Sequence, residues 1–417
     1  MSVLIKSAKI IDSKSEYHGK TKDILISKGK ISKIDNKIQN DSHKVIDIKD
    51  LHISAGWFDS SVSFGEPGFE ERETIKNGSY TAGISGFTDI LLNPNTNPVI
   101  DTQADISFIR SKSSEFITNI HPIGAFTLSS KSKDLADLRD MQRMGAVSFY
   151  DYKKPISNPN ILKTALLYSQ SFDGLIMSFP SNVDISKNGV INEGIVSTSY
   201  GISGIPSLSE ELQVSRDLKI LEYSGGKLHI PTISCKNSVD MIRNAKSKGL
   251  NISCSVAIHN LVFNEEKLKD FDTRFKVLPP LRTELDRKAL LKGVEDKTID
   301  MVTSDHFPVD IENKKMDIDN SYFGSVGLES FFGSLLNLFS LEKSIEILTA
   351  GKSRFGIKSN KIEEGQTAKI SMFKPKQNYI FDKSHIYSKS KNSAYLGLKM
   401  KGKAMGIIVG DDFLINE

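Results

Sequence analysis

The residue types in this 417-residue chain most able to do hydrolytic chemistry are a few carboxylates and histidines set among serines. Asp305 and His306 adjoin in Ser304-Asp305-His306-Phe307-Pro308, and Asp151 sits in Phe149-Tyr150-Asp151-Tyr152. A placed carboxylate can act as general acid or base, and the two hard carboxylates Asp151 and Asp305 can hold a weak, loosely hydrated cation. Ser61, Ser63, His306 and Asp305 are the residue types of a Ser-His-Asp triad, but no segment marks an oxyanion hole or a strained nucleophile turn. His259 and His306 are read as hydrogen-bonded histidines, because two imidazoles lack a third partner for zinc. His229 lies within an apolar run and reads as a core histidine. An aspartate at a strand end most often caps a turn or accepts backbone N–H groups, and that structural role is expected of Asp305. Cys235 and Cys254 are too few for a disulfide framework or a thiolate metal site and are read as core filling.

Eight apolar, strand-like runs are placed to carry these groups: Trp57–Val62, Phe87–Leu92, Ile120–Phe126, Ala146–Tyr150, Leu175–Phe179, Leu228–Ile233, Ile252–Ile258 and Met301–Ser304. Between them, Leu208–Tyr223, Ser238–Lys248 and Glu284–Val294 have helical spacing of apolar residues. Strands alternating with helices predict a parallel sheet, and eight units predict a (β/α)8 barrel, an α/β fold whose active site lies at the C-terminal ends of its strands. Short alternating runs at the two ends, Val3–Ile5, Asp23–Ile26 and Lys44–Ile48, then Ala368–Phe373, Tyr395–Leu398 and Gly406–Val409, predict a small β-sandwich built from both termini. The expected division is 1–54 and 351–417 for that small domain and 55–350 for the barrel, with Pro180–Pro206 a long, weakly patterned loop. The 55 basic and 51 acidic residues are scattered, so no nucleic-acid partner is expected. With no run of roughly 20 apolar residues and no signal-peptide pattern, no membrane partner is expected either, and the expected location is cytoplasmic.

The first strand runs through Asp59-Ser60-Ser61-Val62-Ser63-Phe64-Gly65-Glu66-Pro67-Gly68, and the second ends in Asn93-Pro94-Asn95-Thr96-Asn97-Pro98. This arrangement resembles the dihydroorotases of the amidohydrolase superfamily, whose first strand ends Asp-x-His-x-His-x-Arg-Glu-Pro-Gly and whose second ends Met-Pro-Asn-Thr-x-Pro. Pro279-Pro280-Leu281-Arg282, Ser304-Asp305-His306-Phe307-Pro308 and Gly327-Leu328-Glu329 extend the resemblance through nearly the whole chain.

The family reaction uses zinc, whose bound water is deprotonated near neutral pH and attacks a ring amide carbonyl. The resemblance places the family's metal ligands at Ser61, Ser63, Ser178 or Phe179, Thr232 and Asp151, and its acid–base aspartate at Asp305. Four ligand histidines are therefore missing, and no zinc or other cofactor is expected here, unlike in active relatives. The arginine that clamps substrate falls on Gly65, the histidine after Asp-His-Ala-Pro falls on Val309, and Asn95 remains as a vestigial substrate contact. Tyr150, Tyr152 and Phe179 are expected to fill the vacated space. The reading that follows is a catalytically silent, metal-free dihydroorotase homologue of pyrimidine biosynthesis. The resemblance implies aspartate carbamoyltransferase as its partner; dimers are common among relatives, but no residues mark one. The alternatives are a working cyclic amidohydrolase with an altered site around Asp151 and Asp305, and a small-molecule sensor.

Overall fold

A computed structural model describes residues 2–39 and 44–416; Met1, residues 40–43 and Glu417, all within the spans assigned to the small β domain, lie outside the described residues. Seven barrel strands are regular: Trp57–Val62, Phe87–Leu92, Asn119–Pro122, Leu175–Met177, Lys227–Ile230, Ile252–Ala257 and Met301–Thr303. They pair in parallel within two groups, the first three strands and the last four. Every residue of the first, second and sixth of these is buried, as expected of parallel strands covered on one side by barrel filling and on the other by helices.

Ala146–Tyr150, the expected fourth strand, is not a regular strand. A helix, Leu138–Met144, ends on left-handed Gly145, and a turn begins at Tyr152, which leaves Phe149 alone to bridge Gly124 and Ile176. Its N–H reaches the Leu175 carbonyl at 3.0 Å, and the Met177 N–H reaches its carbonyl at 2.9 Å, so the barrel wall stays continuous. Closure comes from the first and last strands: Val62 bridges His306, and the Ser63 N–H donates to the His306 carbonyl at 2.9 Å. Asp59 reinforces that seam, accepting from the Ser304 N–H at 3.0 Å and from the Thr303 hydroxyl.

The helical expectations correspond to Ser207–Ser224, Lys236–Ser247 and Glu284–Glu295. The last starts cleanly because the Thr283 hydroxyl accepts from the Asp286 N–H. The 180–206 connection is better ordered than expected. It contains helices Val183–Ser186 and Ile195–Tyr200 and a parallel strand pair, Ile191–Asn192 with Gly204–Ile205. Buried Arg282 pins it, donating to the Asn192 side chain at 2.8 Å and to the Ile205 carbonyl at 2.5 Å.

The two ends of the chain share one eight-stranded sheet. Its order is Asp412–Ile415, Lys399–Val409, Lys369–Ile380, His52–Ala55, Ser2–Ile10, Thr21–Ser27 and Lys30–Asp35, with Lys44–Ile46 beside Ser2–Ile10. Tyr395–Leu398, expected as a strand, forms a turn before Lys399–Val409. This sheet has its own core, including Val3, Ile5, Ile24, Ile26, Ile53, Ile370 and Ile408. Where sheet meets barrel, the buried carboxylate of Asp89 accepts from Lys352 and Lys369 at 2.8 Å each and lies 3.0 Å from His121 Nε2. Burial alone would raise its pKa, but the three partners hold it well below the usual carboxylate range. No helix among the described residues is long and apolar enough to cross a membrane.

Candidate active site

Asp305 leaves the last barrel strand in the left-handed region, φ 48°, which turns its side chain into the barrel mouth. The expectation that it would cap a turn does not hold. Side chains take its carboxylate instead: Lys153 Nζ donates to Oδ2 at 2.7 Å, and the Ser61 hydroxyl and Tyr152 phenol donate to Oδ1 at 3.2 and 3.3 Å. Burial pushes its pKa up, and the adjacent Lys153 ammonium only partly opposes that. The Lys153–Asp305 pair is nearly sealed, with side-chain exposures of 11% and 2%.

Asp151 does not face this pair. Its Oδ1 accepts from the Phe126 and Thr127 N–H groups at 2.8 and 2.9 Å, and its Oδ2 accepts from the Thr127 hydroxyl. It therefore fixes the loop after the third strand, and the expected Asp151–Asp305 cation site is replaced by contacts from the next two residues. Tyr152 stacks on Phe307 with centroids 5.9 Å apart and meets Tyr150 edge-on at 5.7 Å. Lys153, with φ 54°, receives support from the Tyr150 hydroxyl at its N–H, 3.1 Å away, and lays its ammonium 5.2 Å from the Tyr152 ring. Sequence reasoning missed Lys153; the only available signal was a lysine two positions past a strand-end carboxylate.

The remaining ligand positions carry donors that do not suit zinc. Asn93 Nδ2 donates to the hydroxyls of both Ser61 and Ser63 at 3.2 Å. Ser178 donates to Asp217 at 2.6 Å, and Phe179 is buried beside it. Thr232 has φ 50° and a buried hydroxyl without a partner among the described residues. Neutral hydroxyls, a phenyl ring and an ammonium on the remaining carboxylate cannot supply the three anionic or imidazole ligands that a catalytic zinc takes. Among the described residues, no group of three or more His, Cys, Asp or Glu side chains is placed to hold a metal ion.

The substrate positions are equally altered. A Cβ at Gly65 would meet the Phe69 carbonyl oxygen at 1.7 Å, so the backbone has closed over the place of the clamping arginine. Val309 is buried with its N–H on the Asn392 side chain at 3.0 Å. Asn95 lines the mouth cleft and has an unpartnered Oδ1 among the described residues. The histidines divide. His229 is satisfied by Ser253 and Ser255 at 2.8 and 3.2 Å. His306 accepts at Nδ1 from the Gly327 and Leu328 N–H groups, and among the described residues its ring hydrogen-bonds to no serine hydroxyl, which dismantles the triad arrangement. His259, expected to be hydrogen-bonded, has neither ring nitrogen hydrogen-bonded among the described residues; it lies 4.0 Å from Asp305, and burial pushes its pKa down to about 3.

Comparison with known proteins fits this geometry. Residues 52–238 match the family described as dihydro-orotase-like. A dihydroorotase of Caldanaerobacter subterraneus subsp. tengcongensis is 35% identical over 411 residues, covering 96% of this chain and 94% of that protein. One of Acetivibrio thermocellus is 33% identical over 423 residues, covering 100% and 99%. Among solved structures, an L-hydantoinase from Arthrobacter aurescens superposes with a TM-score of 0.85 at 20% identity, covering 99% of this chain and 96% of that one. A dihydropyrimidinase from Brevibacillus agri gives 0.83 at 18% identity, covering 100% and 95%. These two show the same amidohydrolase barrel fold.

Proposed function

The chain belongs to the dihydroorotase family of the amidohydrolase superfamily, and on that premise we propose that it has given up the family reaction and acts as a metal-free structural protein of pyrimidine biosynthesis. The observation that carries this reading is the Lys153 ammonium, 2.7 Å from Asp305. An aspartate that must accept and return a proton needs an open face toward substrate; here the carboxylate is enclosed by Lys153, Tyr152 and Ser61. The closed backbone at Gly65 adds that no guanidinium can return to clamp a substrate carboxylate. Asp151 and Asp305 bind different partners, which argues against an altered two-carboxylate enzyme.

The decisive measurement is metal content of the purified protein together with interconversion of carbamoyl aspartate and dihydroorotate. No bound metal and no turnover, with or without added zinc, is the expected result. Turnover that depends on Asp305 would end the proposal. The partner in this reading is aspartate carbamoyltransferase, as the family resemblance implies. Co-expression and co-purification should recover the two together, and a solitary protein without effect on transcarbamoylase activity would remove that part.

A further inference from the structure

Outside the Lys153–Asp305 pair the barrel mouth widens into a cleft of about 760 Å3 whose charge is one-sided. Arg72, Lys153, Lys154, Lys187 and Lys276 line it, and among the described residues Asp319 is the one carboxylate that does. Asp305 neutralises Lys153, whereas among the described residues no carboxylate hydrogen-bonds to the Lys276 ammonium. Lys276 is 2% exposed, and its ammonium donates to the carbonyls of Ile318 and Asp319, at 2.5 and 3.1 Å, and lies 4.8 Å from the Phe323 ring centroid. Lys314, buried behind it, likewise donates only to carbonyls, those of Lys276 and Tyr322 at 3.0 and 2.9 Å. Burial lowers both, Lys276 to about 8 and Lys314 to about 7, because the nearby carboxylates of Asp319 and Asp272 offset it only in part. An anion entering the cleft supplies the missing charge in a partly desolvated place, where such pairing is strongest.

The same walls offer flat apolar faces. The Arg72 guanidinium lies 4.2 and 5.9 Å from the ring centroids of Phe69 and Tyr322, and Phe307 forms the stacked pair with Tyr152. We infer that this cleft binds a phosphate monoester carrying a planar ring, of nucleoside monophosphate size, with the phosphate among Lys154, Lys187 and Lys276 and the ring against Phe69, Tyr322 and Phe307. Several lysines, each a point charge, suit a multiply charged phosphate better than a lone carboxylate, and the volume suits a ligand of that size. The inference stands whether or not the family reaction has been lost.

Calorimetric titration of the full-length protein with adenosine 5′-monophosphate, inorganic phosphate and adenosine tests it. The nucleotide should bind at least about tenfold more tightly than either fragment, a difference of roughly 1.4 kcal/mol. Lys187→Gln, on the exposed rim, should weaken nucleotide binding several-fold without altering the fold, and Tyr322→Ala should weaken nucleotide but not phosphate. Absence of nucleotide binding at millimolar concentration, equal binding of nucleotide and phosphate, or indifference to Lys187→Gln would each overturn the assignment.

Discussion

Asp89, where the barrel meets the terminal sheet, and Asp305, at the barrel mouth, are both buried aspartates 2.7–2.8 Å from lysine, yet their surroundings drive them in opposite directions. Asp89 has two ammonium groups and an imidazole, and its ionised form is strongly favoured. Asp305 has one ammonium and two hydroxyls, which do not offset its desolvation, and its pKa is raised. The difference teaches which end carries the fold. A surplus of partners at the base makes ionisation of Asp89 a source of stability, whereas the mouth holds its charge against a cost, as a remodelled site would.

The sharpest way to break this contrast is Asp89→Ala. It leaves Lys352, 3% exposed, without its carboxylate, and unfolding in denaturant should show a loss of about 3–5 kcal/mol. A loss below about 1 kcal/mol would place Asp89 with ordinary surface pairs. Lys153→Met should cost less, about 1–2 kcal/mol at neutral pH, and its cost should depend on pH. Because the folded-state pKa of Asp305 is already raised, burying its ionised form is unfavourable above that pKa, and the penalty disappears as pH falls toward the unfolded value. The Lys153→Met deficit should therefore shrink on acidification, whereas an equal deficit at pH 5 and pH 8 would refute the assignment.

A third buried carboxylate, Glu329, accepts from the Tyr387 and Ser388 N–H groups at 3.1 and 2.9 Å, and burial raises its pKa to about 7. Its raised value means stability falls as pH rises from the unfolded value toward 7, so Glu329→Gln should flatten that fall, by up to about 3 kcal/mol. The smallest effect is expected from Lys369→Met. Lys369 is 20% exposed and Asp89 keeps Lys352 and His121, so about 0.5–1 kcal/mol should be lost. If it matches Asp89→Ala, the surplus at the base is not a surplus.

The barrel was legible because its strands are continuous apolar runs. Trp57–Val62 and Phe87–Leu92 are strands over the whole expected span, since burial on both faces leaves no alternation to misread. Ala146–Tyr150 is likewise apolar, but it meets its neighbours through isolated hydrogen bonds, Val147 to Pro122, Tyr150 to Gly124 and Phe149 with Leu175 and Met177, with Phe149 alone forming bridges. At the site, the missing histidines and arginine could be read from the chain, but the replacement could not. Neighbouring residues at a strand end point in opposite directions, so a one-residue ambiguity exchanged Asp151 for Tyr152 as the group facing Asp305. Lys153 carries no local mark, because nothing near it in the chain reveals a contact 152 residues away. The state of His259, without a hydrogen bond among the described residues, was likewise hidden, since hydrogen-bond satisfaction depends on what distant segments bring near it.

The sheet shared by the two ends has a consequence for how the protein is made. The Trp57 N–H donates to the Ser371 hydroxyl, 314 residues along the chain, and His52–Ala55 takes its neighbour on one side from Lys369–Ile380. At about 5–20 residues per second, the first strands leave the ribosome on the order of 15–60 s before these partners exist. Throughout that interval His52–Ala55 presents an unpaired edge, the kind of template on which nascent chains associate wrongly. Release of the last strands is thus the event that closes the molecule, and the growing chain depends on whatever shields that edge until then.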